Sequence, residues 1–164
     1  GKNKNENLIP EKSVMLLAGA IANDANHISG PSRTGAGLQI AIEKTLQHTN
    51  IQDIAFINAH GTATPYNDDM ESMAITATGL QAIAVNSLKG FFGHTLGAAG
   101  VVETIISGNA LLDTTILRCK GLEIQETVCP LNVLMKNESS NKTHFLKLLS
   151  GFGGCNAALL LRKK

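Results

Sequence analysis

The sequence of 164 residues lacks tryptophan and contains only one tyrosine and five phenylalanines. Aromatic side chains therefore cannot dominate the interior, although an apolar fraction of 43 % is enough for a folded core of Ala, Leu, Ile and Val. An excess of one charge is also missing, because the formal net charge is +1 and the basic residues form no stripe. A nucleic-acid-binding surface is therefore not expected.

Long hydrophobic runs are absent as well. The run at 14–22 is shorter than the ~20 residues of a membrane span, and Glu103 interrupts a later run. No basic and apolar leader for secretion is present. Cys119, Cys129 and Cys155 are odd in number and lack metal-like spacing, which argues against a disulfide framework and against a metal site. We expect a cytoplasmic domain that does not contact a membrane.

The order of apolar patterns predicts the fold class. Residues 1–11 are polar and predicted to be a flexible segment, and residues 12–164 are predicted to form one domain. Strand-like runs and helical periodicities alternate until a final antiparallel pair, which indicates an α/β fold with a mostly parallel sheet and one antiparallel edge. The predicted strands are 14–22, 53–58, 82–85, 115–117, 122–124, 145–149 and 156–161, the helices are 33–48, 68–77 and 97–112, and a surface loop is predicted at 135–143.

Two histidines lie in glycine-framed loops that follow predicted strands. His60 belongs to Asn-Ala-His-Gly-Thr-Ala-Thr-Pro, and His94 follows Lys89 in Lys-Gly-Phe-Phe-Gly-His-Thr-Leu-Gly-Ala-Ala-Gly. Side chains at strand ends sit on a rigid sheet but project into a loop-lined crevice. Two converging imidazoles could polarise a carbonyl and stabilise an enolate.

At these motifs the chain resembles the C-terminal half of a β-ketoacyl-[acyl carrier protein] synthase, a condensing enzyme of fatty-acid and polyketide biosynthesis. The resemblance extends in order and spacing over 14–162, and it is strongest at 58–65, 86–100 and 151–156. It implies half of a thiolase-like fold, with a five-stranded, mostly parallel mixed sheet, one antiparallel edge strand and flanking helices. The implied reaction is the decarboxylative Claisen condensation of malonyl carrier protein with an acyl thioester.

The resemblance also implies roles for residues around the two histidines. His60 and His94 would stabilise the enolate oxygen, although the sequence does not divide the work of decarboxylation between them. Lys89 would supply positive charge without being the nucleophile. Thr62 and Thr64 would hydrogen-bond the phosphopantetheine arm.

Three further residues receive roles from the same resemblance. Asp68 and Glu103 would orient the loop and Lys89. Phe152, in a glycine turn, would be a gating residue whose backbone N–H serves the oxyanion hole. No metal and no cofactor is implied, since phosphopantetheine arrives on the acyl carrier protein.

The chain departs from the family in what it lacks. The acyl-accepting cysteine belongs to the N-terminal half of such synthases, and no cysteine here has its sequence context. The chain is therefore predicted to be inactive alone and to need an N-terminal half or a partner synthase chain, with acyl carrier protein as a further partner. In addition, Leu148-Leu149-Ser150 replaces the usual Asn-Ser-Phe before the glycine turn, and Cys155 replaces the usual threonine after it.

Taken singly, the site residues also have structural explanations. A lone histidine is usually structural, Lys89 could lie at the surface, Asp68 could cap its helix, and Glu103 could face solvent. Among the other histidines, His48 and His144 are expected to be solvated, and His27 could lie at the pantetheine entrance.

A different class of function stays open. The alternative is a non-catalytic subunit that binds acyl carrier protein or scaffolds a complete synthase. The presence of His60, Lys89 and His94 together favours the enzyme portion and disfavours a chain-length factor. A thiolase is disfavoured because no second cysteine occupies a plausible position for a C-terminal base.

The interpretation as half of a fold predicts association. The helix at 97–112 would pack against its counterpart from the missing half, and alone it would expose an apolar face. We therefore expect a homo- or hetero-oligomer. The residues of that face are Val101, Val102, Ile105 and Ile106.

Overall fold

The computed structural model describes residues 12–30, 32–47 and 49–164. The predicted flexible segment 1–11 and the predicted solvation of His48 lie outside the described residues. Within these ranges the strands are β1 Val14–Asn23, β2 Ile54–Asn58, β3 Ala84–Asn86, β4 Thr115–Ile116, β5 Asn132–Val133, β6 Glu138–Ser139, β7 His144–Gly151 and β8 Cys155–Lys163.

Six of the described strands form one mixed sheet in the order β1-β8-β7-β2-β3-β5. The pairs β7-β2, β2-β3 and β3-β5 are parallel, whereas β8 runs antiparallel to both of its neighbours. The predicted α/β class with a mostly parallel mixed sheet is confirmed, and so is the antiparallel pair at the end of the chain.

Two details of the predicted sheet differ. The sheet has six described strands instead of five, because the two-residue β5 adds to its edge. The antiparallel strand β8 is internal instead of at an edge, because β1 pairs with it from Val14 opposite Lys163 to Asn23 opposite Cys155. An apolar run indicates a strand but does not say which neighbour covers it.

The described helices are α1 Ala36–Leu46, α2 Pro65–Ala77, α3 Lys89–Phe92 and α4 Ala99–Leu112. Helix α1 begins after Gly35, which has a φ of 69° and lies so close to the Met70 carbonyl oxygen that a Cβ would approach it to 2.6 Å. Helix α2 begins three residues before the predicted start at Asp68, because Pro65 suits the first helical position.

Helices cover both faces of the sheet. Helices α1 and α2 pack on one face, where Leu38, Ile42 and Met70 are fully buried against Ile57 of β2. Helix α4 packs on the other face, where Leu111 lies in a cluster with Phe56. The alternation of Phe56 and Ile57 between the two faces follows from the two-residue period of a strand. Because β2 and β3 are parallel neighbours, their carboxyl ends lie side by side at the same end of the sheet.

Three further predictions from the sequence can be compared with the structure. The strand predicted at 122–124 is wrong, since these residues lie in an irregular segment. The predicted loop 135–143 contains β6, which pairs antiparallel with β4. In the part of the chain that the structure describes, no helix combines the length and hydropathy needed to cross a membrane.

Candidate functional site

The adjacent parallel strands β2 and β3 deliver the two histidine loops to one place. Asn58 and Asn86, at their ends, are partners in the sheet register, and the Asn58 side-chain amide donates to the Asn86 side-chain oxygen at 2.8 Å. The Ala59 N–H donates to the Asn86 carbonyl oxygen at 2.8 Å. These bonds tie the start of the His60 loop to the strand that precedes Lys89 and His94.

The structure brings the two predicted imidazoles into contact. The ring centroids of His60 and His94 are 5.2 Å apart, and the ring planes meet at 80° in an edge-to-face arrangement. His60 is buried, whereas His94 is exposed. Two residues 34 positions apart in the sequence thus lie together at the carboxyl ends of β2 and β3. His60 forms the buried side of the pair and His94 forms the exposed side.

The hydrogen bonds at Nδ1 indicate which nitrogen of each ring carries the proton. His94 Nδ1 lies 3.0 Å from the backbone N–H of Leu96, which can only donate, so Nδ1 accepts. His60 Nδ1 lies 3.4 Å from Lys89 Nζ, and an ammonium has only donors. The proton of each ring is therefore on Nε2, which makes Nε2–H the donor of both imidazoles.

The environment of His60 keeps its ring neutral. Burial is the largest cause that lowers the pKa of His60, and the positive charges of Lys89 and Lys147 add to it, so that the pKa falls to about 3. At neutral pH the ring is consequently a hydrogen-bond donor without charge. It is a weak base in the same range.

Lys89 is held by an ion pair and by the His60 loop. Its Nζ lies 2.7 Å from Glu103 Oε1 and donates to the carbonyl oxygen of His60. The Lys89 side chain is 7 % exposed and that of Glu103 is fully buried. Glu103 is thus a buried partner on α4 instead of a solvent-facing residue, and Lys89 is not a surface lysine.

Two carboxylates hold the backbone of the His60 loop. Asp68 accepts from the Thr62 N–H at 3.2 Å. Glu71, which the sequence reasoning missed, accepts from the N–H groups of His60 and Gly61, both at 2.7 Å. Glu71 is buried, and burial raises its pKa. A signal existed, because Glu71 lies next to Met70 and one turn before Ala74 on the apolar face of α2.

Lys147 is the second residue that the sequence reasoning missed. It lies on β7 and is fully buried, and its Nζ donates to Glu103 Oε2 and, at 3.3 Å, to the Ala59 carbonyl oxygen. Glu103 therefore bridges Lys89 and Lys147. The signal was a single lysine in an otherwise apolar strand, since buried lysines almost always have a charged partner.

Thr62 and Thr64 lie side by side beyond the histidine. Their hydroxyl oxygens are 2.8 Å apart. Thr62 lines a cavity of about 700 Å³ together with Lys89 and His94. Thr64 is exposed.

Phe152 is not brought to this cavity. It lies 82 % exposed in a short turn between β7 and β8 and does not line the cavity. The next residue, Gly153, has a φ of 79° and donates its N–H to the Ile28 carbonyl oxygen at 2.7 Å. The glycine turn is therefore fixed to the 24–29 loop.

Cys119 lines the same cavity, but its surroundings do not activate it. The thiol sulfur accepts from the Ser87 N–H at 3.1 Å, and burial raises the pKa of Cys119. A raised pKa disfavours the nucleophilic thiolate. All three cysteines, Cys119, Cys129 and Cys155, are free thiols.

The remaining histidines differ in their surroundings. His27 is exposed and its Nδ1 accepts from the N–H groups of Ser29 and Gly30, each at 3.2 Å. The expectation that His144 is solvated is wrong, because it is 7 % exposed at the start of β7, where neighbouring strands cover it. Among the described residues, no group of three or more His, Cys, Asp and Glu side chains could hold a metal ion.

Comparisons with known proteins identify the family of the chain. Residues 14–123 match the family described as "Beta-ketoacyl synthase, C-terminal domain". The chain is 34 % identical over 154 residues to 3-oxoacyl-[acyl-carrier-protein] synthase 2 of Coxiella burnetii, covering 90 % of this chain and 37 % of the relative. The chain therefore spans less than two fifths of the length of that relative.

Solved structures show the same fold. The ketosynthase ApeO in complex with its chain length factor ApeC from Xenorhabdus doucetiae has a TM-score of 0.82 and 30 % identity, over 92 % of this chain and 39 % of that one. The AntDE:AntF complex, a type II PKS acyl-carrier protein with its ketosynthase bound to the hexaketide, has a TM-score of 0.85 and 26 % identity, over 91 % and 38 %. The chain belongs to the β-ketoacyl synthase family and corresponds to its C-terminal domain.

Proposed function

We propose that this chain forms the malonyl side of a 3-oxoacyl-[acyl carrier protein] synthase and that His60 and His94 stabilise the enolate formed on decarboxylation. The observation that carries the proposal is the contact of two imidazoles whose Nδ1 atoms both face hydrogen-bond donors, which leaves Nε2–H as the donor of each ring. Two fixed donors near one developing oxyanion lower the barrier by about 3 kcal/mol each in comparable oxyanion holes.

In the proposed reaction, the bond between the malonyl carboxylate carbon and C2 breaks and carbon dioxide leaves. The electron pair of that bond passes into the thioester as an enolate. C2 then bonds to the carbonyl carbon of the acyl thioester, and the thiolate that carried the acyl group leaves. The enolate oxygen is the atom that gains charge, and it is the atom that the two Nε2–H groups would meet.

His60 acts by donating a hydrogen bond and does not transfer its proton. Because its pKa is lowered to about 3, the neutral ring is a weak base and carries no extra proton to deliver at neutral pH. Lys89 adds positive charge beside the ring and is committed to Glu103 and the His60 carbonyl oxygen. It therefore supports the site without acting as a nucleophile.

The substrate is proposed to arrive on acyl carrier protein. Thr62 and Thr64, whose hydroxyl groups are hydrogen-bonded to one another, would bind the amide-rich phosphopantetheine arm at the cavity. Phe152 would contribute its backbone N–H only once a second half of the synthase covers the exposed turn. No cofactor besides the carrier's own phosphopantetheine enters the proposal.

The chain is proposed to depend on an N-terminal half for the acyl-accepting cysteine. None of its own cysteines has that sequence context, and Cys119, the thiol at the cavity, has a raised pKa and a structural hydrogen bond. The isolated chain should therefore not condense acyl groups. The partner would be an N-terminal synthase half or a partner synthase chain.

Reconstitution tests the proposal. The chain is combined with the N-terminal half of a related synthase, and release of carbon dioxide from malonyl carrier protein is measured. His60→Ala should lower the rate by about 10²- to 10³-fold, which is the usual effect of removing one oxyanion donor. His144→Ala is the control, because this buried histidine lies at the other end of the strands, where β7 and β2 begin. A His60→Ala rate within twofold of the unsubstituted protein would contradict the proposal.

The same assay distinguishes the alternative function. A non-catalytic subunit that binds carrier protein or scaffolds a synthase would form the complex without decarboxylating malonyl carrier protein. The Xenorhabdus doucetiae structure contains a ketosynthase and a chain length factor. If the chain forms the complex but the complex does not decarboxylate malonyl carrier protein, the scaffold function is favoured.

A further inference from the structure

Lys147 is a charged residue at a position where the sheet needs a core side chain. On the central strand β7, its register partners are Asn58 of β2 and Leu159 of β8. Its neighbours Leu146 and Leu148 pack towards α1 and α2, so Lys147 faces α4. An apolar side chain at this position would pack without polar contacts. The Lys147 ammonium, in contrast, needs hydrogen-bond acceptors.

Those partners belong to the histidine site. Lys147 Nζ donates to Glu103 Oε2, while Lys89 lies 2.7 Å from Oε1 of the same carboxylate. The second acceptor of Lys147 is the carbonyl oxygen of Ala59, directly before His60. A single residue therefore contacts both the carboxylate that holds Lys89 and the backbone that holds His60.

The ionisable groups around Lys147 come from three helices and from the loop after β2. They are Glu103 on α4, Lys89 on α3, Glu71 on α2 and His60 on the loop after β2. Two cations and two carboxylates balance in charge, and the imidazole stays neutral. Burial lowers the pKa of Lys147 to about 8, although Glu103 and Glu71 oppose that effect. Lys147 in turn lowers the pKa of His60.

We propose that Lys147 is a positioning residue of this site: it fixes the Glu103 carboxylate so that Glu103 directs Lys89 onto the His60 loop, and it holds the Ala59 carbonyl oxygen directly before His60. With only one partner, the buried carboxylate could rotate about its side-chain bonds. With two ammonium partners its orientation is fixed. The expected effect of Lys147 on catalysis rests on the proposed function. The arrangement of charges around Glu103 does not depend on that proposal.

Lys147→Met in the full 164-residue chain is the first test, with Lys142→Met as the matched control. Lys142 is an exposed lysine that also donates to a backbone carbonyl, that of Ile54, but it does not contact Glu103. In the reconstituted synthase, Lys147→Met should reduce kcat about 10- to 100-fold with KM within twofold, because a misplaced donor costs about that much. Lys142→Met should leave both constants unchanged.

The pH profile separates positioning from simple structural support. In the unsubstituted protein, decarboxylation should decline above about pH 8 as Lys147 loses its proton. This decline should persist in Lys142→Met and disappear in Lys147→Met. Lys147→Arg, which keeps the charge, should restore most of kcat and move the decline to higher pH. An unchanged decline in Lys147→Met would overturn the proposal.

A measurement on the unsubstituted chain decides the matter if Lys147→Met does not fold. NMR of ¹³C-labelled lysine and ¹⁵N-labelled histidine should show the His60 ring signals shifting with the same midpoint as Lys147, near pH 8. His60 signals that stay constant through the titration of Lys147 would overturn the positioning role. A chain in which the two titrate together but no decarboxylation occurs would instead refute the proposed function alone.

Discussion

At the scale of single residues, buried charge determines the chemical state of the site. His60 is kept neutral by burial and by two neighbouring ammonium groups, and both ammonium groups pair with the single carboxylate of Glu103. Breaking such a pair by removing one partner leaves a buried charge uncompensated, which is costly. Variants in this group should therefore affect both stability and function.

Because the pKa of His60 is lowered, the free energy of unfolding should decrease as the pH falls. Its ordinary value is 6.5 and its folded value is about 3, so between these values the unfolded chain binds more protons than the folded chain. This contribution is complete above pH 6.5 and is lost as the pH falls towards 3. His60→Gln should flatten the free energy of unfolding between pH 4 and 7, as measured by urea denaturation.

The buried His144 provides the comparison for that prediction. Burial lowers the pKa of His144 as well, so His144→Gln should remove only its own smaller part of the acid dependence. A His60→Gln variant whose unfolding free energy depends on pH as strongly as before would contradict the neutral state of His60.

Glu71 should contribute to stability through the loop that it holds. In Glu71→Gln the new amide group faces backbone N–H donors of His60 and Gly61, so a buried donor loses its partner. We expect a loss of about 1 to 3 kcal/mol in the free energy of unfolding. Glu43→Gln, on the exposed side of α1, should change it by less than about 0.5 kcal/mol. Equal losses in denaturant titrations of the two variants would contradict this role.

At the scale of elements, the short helix α3 places Lys89 because another backbone lies directly against it. A Cβ at Gly90 would overlap the carbonyl oxygen of Lys120, and a backbone atom cannot rotate away. Gly90→Ala should therefore push α3 outward and destabilise the chain by about 1 to 3 kcal/mol. Thermal denaturation followed by circular dichroism measures the effect.

Gly97 gives the matched control for α3. It lies in the short turn before α4, and a Cβ there would meet no atom within 4 Å. Gly97→Ala should leave the melting temperature within about 2 °C, a shift that corresponds to well under 1 kcal/mol for a domain of this size. A melting temperature that falls as far in Gly97→Ala as in Gly90→Ala would show that the Lys120 contact does not constrain α3.

The sequence predicted the long elements well, because their patterns are local. The runs behind β1 and β2 and the periodicity behind α4 are each created by residues near one another in the chain. The two-residue strands β4, β5 and β6 are too short to carry a pattern of their own. The pairing of β1 with β8 joins residues about 140 positions apart, and local hydrophobicity does not encode such a partner.

At the scale of the whole molecule, an apolar face on α4 remains uncovered. Val101 is 64 % exposed and Ile105 is 58 % exposed, one helical turn apart. Val102 and Ile106, predicted to share that face, are half-buried. Exposed apolar patches of this kind favour association.

We expect the isolated chain to form a dimer or a larger assembly through this face. Light scattering should show a mass above that of one chain, and Ile105→Glu should lower it because a buried carboxylate opposes association. Ile40→Glu is the control, since Ile40 is 44 % exposed on the opposite side of the sheet. A monodisperse monomer would contradict the prediction.

Local patterns along the chain were enough to predict the fold class, most element positions and the histidine and lysine motifs, because apolar periodicity and short motifs are properties of neighbouring residues. The tertiary structure alone decided that Glu103 is shared by two lysines, that Glu71 holds the His60 loop and that Phe152 stays outside the cavity. Each of these facts depends on where side chains from different elements lie relative to one another in the folded chain. Their partners, their pKa values and their exposure exist only once the sheet has brought those elements together.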